Sequence, residues 1–167
     1  IAYNNIGWSY SQQADFKTAL EYYQKTLEIR TEIFEEKHIA IAQSFENIAY
    51  CLTKLQQFDE ALQSYHKGLD IRSSIVSENH PTLVKIYRNL GHCHLEMKDF
   101  EASIQYLNKA LEIHQDLGRE TTETIILHNL LGSYYEQINQ YFNAIQAYHH
   151  VLRSAIPNYQ TDDYYET

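Results

Sequence analysis

Residues Tyr3 to Leu27, YNNIGWSYSQQADFKTALEYYQKTL, carry apolar positions at helical spacing twice over, with a break between. Tyr3, Ile6, Gly7 and Tyr10 form one stripe, and Phe16, Ala19, Leu20, Tyr23 and Leu27 form the next. The short stretch between them ends in Asp15, a residue whose carboxylate can accept from the free amides of a helix's first turn. Two amphipathic helices joined by so short a turn must pack antiparallel.

The same pattern recurs along the chain. Asn5-Ile6-Gly7, Asn47-Ile48-Ala49 and Asn89-Leu90-Gly91 are 42 residues apart, and Leu130-Leu131-Gly132 follows after 41. Phe16, Phe58, Phe100 and Tyr141 keep that spacing, as do Ala19-Leu20, Ala61-Leu62, Ser103-Ile104 and Ala144-Ile145. A fixed period of this length signals a repeat architecture in which each unit buries its stripe against its neighbours. Small residues at one register, Gly7, Ala49, Gly91 and Gly132 opposite Ala19, Ala61, Ser103 and Ala144, mark where the two helices of each hairpin cross. A mid-helix Gly costs about 1 kcal/mol relative to Ala, so close approach must compensate it.

Tyr3-x-x-Ile6-Gly7-x-x-Tyr10 followed by Ala19-x-x-x-Tyr23, and its echoes Tyr87-x-x-Leu90-Gly91 and Leu131-Gly132-x-x-Tyr135, resemble the tetratricopeptide repeat. The family's usual period is about 34 residues. Here the extra length falls at the end of the second helix and in the connection that follows, at Glu28 to His38 and Asp70 to Pro81. That feature, with Lys109-Ala110-Leu111-Glu112-Ile113 and Asn79-His80-Pro81, resembles the longer repeats of kinesin light chains. The resemblance implies an all-α fold, a right-handed superhelical array of antiparallel helix hairpins. The expected units are 1–35, with a truncated start, then 36–77, 78–119 and 120–156. Residues 157–167 would begin a further unit or form a frayed tail. The fourth unit departs from the pattern with His128 at the aromatic position and one residue fewer.

Hydrophobic residues make up 44% of the 167, with only five Gly and two Pro, which suits a folded helical chain and excludes a disordered tail. Fifteen Tyr fit the half-buried positions of a layer only two helices thick. A net charge of −9 repels phosphate backbones, so nucleic acid is not an expected partner. Apolar runs of three or four residues fall far short of the roughly 20 that span a bilayer, so no membrane partner is expected either. Cys51 and Cys93 sit one period apart, so they are expected about 10 Å from each other, beyond the about 7 Å that a disulfide bridges. Reduced thiols and a cytoplasmic location are the expectation. The chain starts at Ile1 without Met and is read as part of a longer one, with more repeats or other domains.

In the family resembled, the first helix of each unit lines a concave wall. The stripe opposite the core then runs through Asn5 and Trp8, Asn47, Tyr50 and Lys54, Asn89, His92 and Glu96, and Ser133 in the fourth unit. Beside it lie Asn4, Ser11, Glu46, Thr53, Arg88, Leu95, Asn129 and Glu136, and Lys85 opens the same face. Three Asn at one register can each donate to and accept from an extended peptide backbone, and the resemblance implies that use. The alternative is that they brace neighbouring helices. Trp8, Tyr50 and His92 supply the aromatic character of interface hot spots, although Trp8 could equally meet a preceding unit. This wall carries equal numbers of acids and bases, whereas the chain has 22 acids to 13 bases. A partner with some acidic character is therefore expected, steered by Lys54, Lys85 and Arg88.

Nine His invite a metal reading, centred on His92-Cys93-His94, but neighbours at i and i+2 on a helix point to different faces. Neither a cofactor nor a catalytic residue is expected. His38 and His80, at the junctions, are expected to brace helix starts. The expected function is a scaffold or adaptor holding a peptide segment of another protein, and no enzyme. The alternatives are a regulatory or targeting arm of a larger enzyme whose catalytic domain lies outside these residues, and a structural array that self-associates.

Overall fold

Eight α-helices follow one another without a strand among the described residues of the computed structural model, which covers 2–115 and 122–155. They are α1 (Ala2–Gln12), α2 (Phe16–Ile33), α3 (Ile39–Lys54), α4 (Phe58–Ser73), α5 (Val84–Glu96), α6 (Phe100–Gln115), α7 (Thr122–Gln137) and α8 (Tyr141–Ala155). Each odd helix packs against the even helix after it, and each even helix against the next odd one, so four hairpins stack in a solenoid. The expected tail, 157–167, lies outside the described residues.

The hairpin turns are one structure used four times. In the first, Ala14 N–H donates to Ser11 O at 3.1 Å and Asp15 N–H to Tyr10 O at 3.0 Å, the two bonds of a Schellman cap. That cap needs a left-handed residue, and Ala14, Gln56, Lys98 and Asn139 take it with φ of 60, 60, 61 and 59°. The next residue then starts the following helix: Asp15 Oδ1 accepts from Thr18 N–H at 3.1 Å and Asp99 Oδ1 from Ala102 N–H at 3.3 Å, as the sequence led one to expect. Left-handed backbone costs a residue with Cβ roughly 1–2 kcal/mol that Gly avoids. Gln56→Gly is accordingly expected to raise stability by about 1 kcal/mol, read as a higher denaturant midpoint at unchanged slope. A lowered midpoint would mean that the Gln56 side chain matters more than its φ.

Between units, His38 Nδ1 accepts from Ala40 N–H at 3.1 Å and His80 Nδ1 from Thr82 N–H at 3.2 Å. Both junction histidines thus cap helix starts. In the connection before α5, Pro81 opens a single 3₁₀ turn, Pro81–Leu83, where its missing N–H costs nothing.

The core runs through the stack as one cluster, from Ala19 and Tyr23 through Cys51, Tyr65, Ile86, Leu90 and Leu107 to Leu127 and Leu131. The small register behaves as expected. A Cβ placed on Gly7 would lie 3.0 Å from the Tyr23 ring, and Ser103 Oγ donates to Gly91 O at 2.9 Å across the crossing. Cys51 and Cys93 are free and buried within this cluster, and burial pushes the Cys51 thiol up to about 12. No helix among the described residues is long and apolar enough to cross a membrane.

Candidate functional site

The odd helices also touch each other directly, α3 against α5 and α5 against α7, which joins their outward faces into one wall. On it, Trp8 is 60% exposed and Tyr50 is 39% exposed. Tyr50 is not a loose ring: Phe16 meets it edge-on at 6.0 Å, and the Lys54 ammonium lies 5.9 Å from its centroid. His92, one unit further, is half-buried, with Nε2 3.4 Å from Glu96 Oε1. Asn5, Lys54, Lys85 and Asn129 are exposed, and Ser133 is half-buried.

At two positions of the Asn register the side chain braces the wall. Asn47 Nδ2 donates to Asn4 Oδ1 at 3.2 Å, tying α3 to α1. Asn89 Oδ1 accepts from Arg88 Nη2 at 3.0 Å and from Nε at 3.3 Å. Each is half-buried, and part of its hydrogen-bonding capacity already holds the wall together.

The charged residues need correction. Glu46 does not belong to the open wall: it is 2% exposed and forms an ion pair with Arg72 of α4. Ser11, Thr53 and Leu95, one line over from the Asn stripe, are buried as well, because that line faces the packed side of the helix. Arg88 Nη1 meets Glu123 Oε2 at 2.5 Å, so this cation bridges α5 to α7. Lys54 and Lys85 are left as the exposed cations of the wall, with Glu96 and Glu136 as its exposed acids. Two acids and two bases still balance on the wall, and the expectation of an acidic partner is left with Lys54 and Lys85 alone. Arg30 and Arg72 recur at the repeat spacing, and both turn inward: Arg30 Nη1 donates to Ala40 O at 2.6 Å and to Ser44 Oγ at 2.9 Å. That recurrence was a signal in the sequence for buried Arg contacts.

His92, Cys93 and His94 diverge as helical geometry requires. His94 stacks on Tyr106 at 5.4 Å and its Nδ1 lies 3.0 Å from Asp99 Oδ2, while Cys93 sits in the core. Burial, and then the charges of Lys54 and Arg88, hold the His92 imidazole below its ordinary 6.5, against the pull of Glu96. A base with a lowered folded value contributes stability that is complete above 6.5 and is lost as pH falls through the lowered value. His92→Gln is therefore expected to flatten the acid side of the stability profile, as checked by denaturant midpoints from pH 7 to pH 4. An unchanged profile would assign that slope to other groups.

Residues 38–116 and 82–156 match the tetratricopeptide repeat family, and residues 1–40 match a second description of the same repeat. The chain belongs to the tetratricopeptide repeat family. Among solved structures, its solenoid is similar to BtubC (BKLC) from P. vanneervenii, with TM-score 0.77 and 21% identity, over 95% of this chain and 66% of that one. It is similar also to the putative kinesin light chain nearly identical TPR-like repeats of Podosopora anserina, with TM-score 0.78 and 15% identity over 94% and 76%. A third similar structure is a Rap protein complexed with Competence and Sporulation Factor, with TM-score 0.78 and 21% identity over 92% and 41%. This tetratricopeptide chain thus spans about two thirds of the first of these and less than half of the last. No curated protein matches its sequence.

Proposed function

We infer that this tetratricopeptide array is a non-catalytic scaffold whose wall of odd helices binds a peptide segment of a partner protein. The observation that carries this reading is the pair of exposed rings at one register, Trp8 and Tyr50, beside the half-buried amides of Asn47 and Asn89. Large exposed aromatic surface next to amide groups is the composition of a binding hot spot. Complex formation by a similarly folded Rap protein is in keeping with it. The partner's acidic character now rests on Lys54 and Lys85, and the buried free thiols suit a cytoplasmic setting.

The test is selection of binders from a random peptide library on the wild-type chain, followed by affinity measurement on Trp8→Ser/Tyr50→Ser. With folding checked by circular dichroism, loss of the two rings is expected to weaken a selected peptide at least a hundredfold, about 3 kcal/mol. Peptides that bind both proteins equally would put the binding surface elsewhere. Raising salt from 20 to 150 mM should weaken acidic peptides only a few-fold, since two exposed lysines are involved.

A further inference from the structure

The ring at the aromatic register of the first helix is covered by a second ring in three of the four hairpins. Tyr22 lies over Tyr3 at 6.0 Å and Tyr106 over Tyr87 at 6.3 Å. In the fourth hairpin His150 stacks on His128 at 4.4 Å. The second hairpin has no such partner, because Ser64 stands where the repeat puts Tyr22 and Tyr106. Phe45 is instead approached by Lys67, whose ammonium lies 5.5 Å from the ring centroid. In the first hairpin the matching Lys25 lies over the Tyr22 ring at 5.3 Å, so the layering there is lysine, tyrosine, tyrosine. The second hairpin keeps the outer two layers and lacks the middle one.

A cavity of about 470 Å³ opens at this place, with Ile41, Phe45 and Ile71 as its apolar part. Its rim carries two cations, Lys37 and Lys67, and two anions, Glu36 and Asp70, all exposed. Among the described residues the ion pairs run through Arg72, Arg88, His92, His94 and Lys109, none of them on this rim. The size is within the about 300–1,000 Å³ of small-molecule sites, which are mostly apolar with a few placed polar groups. Helical periodicity puts Ile41 and Phe45 on the other side of α3 from Asn47 and Tyr50, so this cavity is separate from the peptide wall.

We propose that this cavity binds an aromatic α-amino acid, whose ring takes the place on Phe45 that a tyrosine ring fills in neighbouring hairpins. The ring inserts between Phe45 and the Lys67 side chain, which is exposed and can swing outward, and restores a stacked pair with a cation above it. A rim with both charges matches a zwitterion: the α-carboxylate meets Lys37 and Lys67, and the α-ammonium meets Asp70 and Glu36. A purely anionic or cationic ring would leave one pair of rim charges without a counterpart.

The experiment is titration of the isoleucine-methyl-labelled chain with L-phenylalanine, followed by NMR at Ile41 and Ile71. Saturable ring-current shifts at these two methyls are expected, while 3-phenylpropionate and phenethylamine bind at least fivefold more weakly. Ser64→Tyr supplies the missing ring from within and is expected to abolish the shifts. Lys67→Glu, at an exposed position where folding is not at stake, is expected to weaken binding at least fivefold, and it decides the matter should Ser64→Tyr fail to fold. Absence of saturable shifts in the wild type, or shifts unchanged in a folded Ser64→Tyr or in Lys67→Glu, would overturn the site. Equal binding of 3-phenylpropionate would overturn the zwitterion.

Discussion

Arg72→Met is expected to destabilise the array by about 3–5 kcal/mol, the cost of stranding a buried charge by removing its partner. Glu46 is 2% exposed, its Oε1 is bound by Arg72 Nε, and its Oε2 meets no hydrogen-bond donor. With Arg72 gone, the carboxylate has no route to water within the packed hairpin. The same argument predicts that Glu46→Leu/Arg72→Met costs far less than the single change and comes out near neutral, because two apolar side chains leave no charge to solvate. Denaturant unfolding followed by circular dichroism measures both. A loss under about 1 kcal/mol in Arg72→Met would show that the Glu46 carboxylate does not depend on Arg72.

Gly91→Val is the second large effect, expected at about 3 kcal/mol. A Cβ at Gly91 would lie 2.7 Å from Leu107 Cγ, 2.8 Å from Cδ2 and 3.3 Å from the Leu107 backbone nitrogen. Leu107 is 0% exposed and its backbone nitrogen is among the near atoms, so relief of the clash is expected to push α5 and α6 apart. Overpacking of this kind costs about 1–3 kcal/mol. Separation also stretches the buried bond from Ser103 Oγ to Gly91 O, worth about 1 kcal/mol more. The gain in helix propensity over Gly offsets only a few tenths of a kcal/mol. Leu107→Ala makes room at the same place, so Gly91→Ala/Leu107→Ala should cost less than the sum of its single changes. Strict additivity would mean that Gly91 is tight against something other than Leu107. At Gly132 the near atoms belong to the half-exposed Tyr148 ring, which can turn away, and a smaller effect is expected there.

The hairpins, their turns and their stacking were legible in the sequence because each depends on spacings of three, four or 42 residues. Asp15 and Asp99 could be read as caps, and His38 and His80 as braces, since each bonds an amide two or three residues away. Gly91 opposite Ser103 was legible because the same pair of small residues recurs in every unit. The cavity over Phe45 left a trace as well, Ser64 at a tyrosine register, but an absent ring gains meaning only beside the rings that fill the other hairpins.

The polar side chains of the wall were a different matter. Sequence placed Glu46, Arg88 and Asn47 on or beside one outward stripe, and the fold engages all three: Glu46 with Arg72, Arg88 with Glu123, and Asn47 with Asn4. Those partners lie 26, 35 and 43 residues away, on other helices. Periodicity fixes which face of a helix a residue occupies to within tens of degrees, and that was enough to determine the repeat and the core. Whether a charge at the edge of that face meets water or a neighbouring helix depends on the rotation between successive hairpins, which the packing of Tyr23, Tyr65, Leu107 and their contacts sets. Only the tertiary structure decided it.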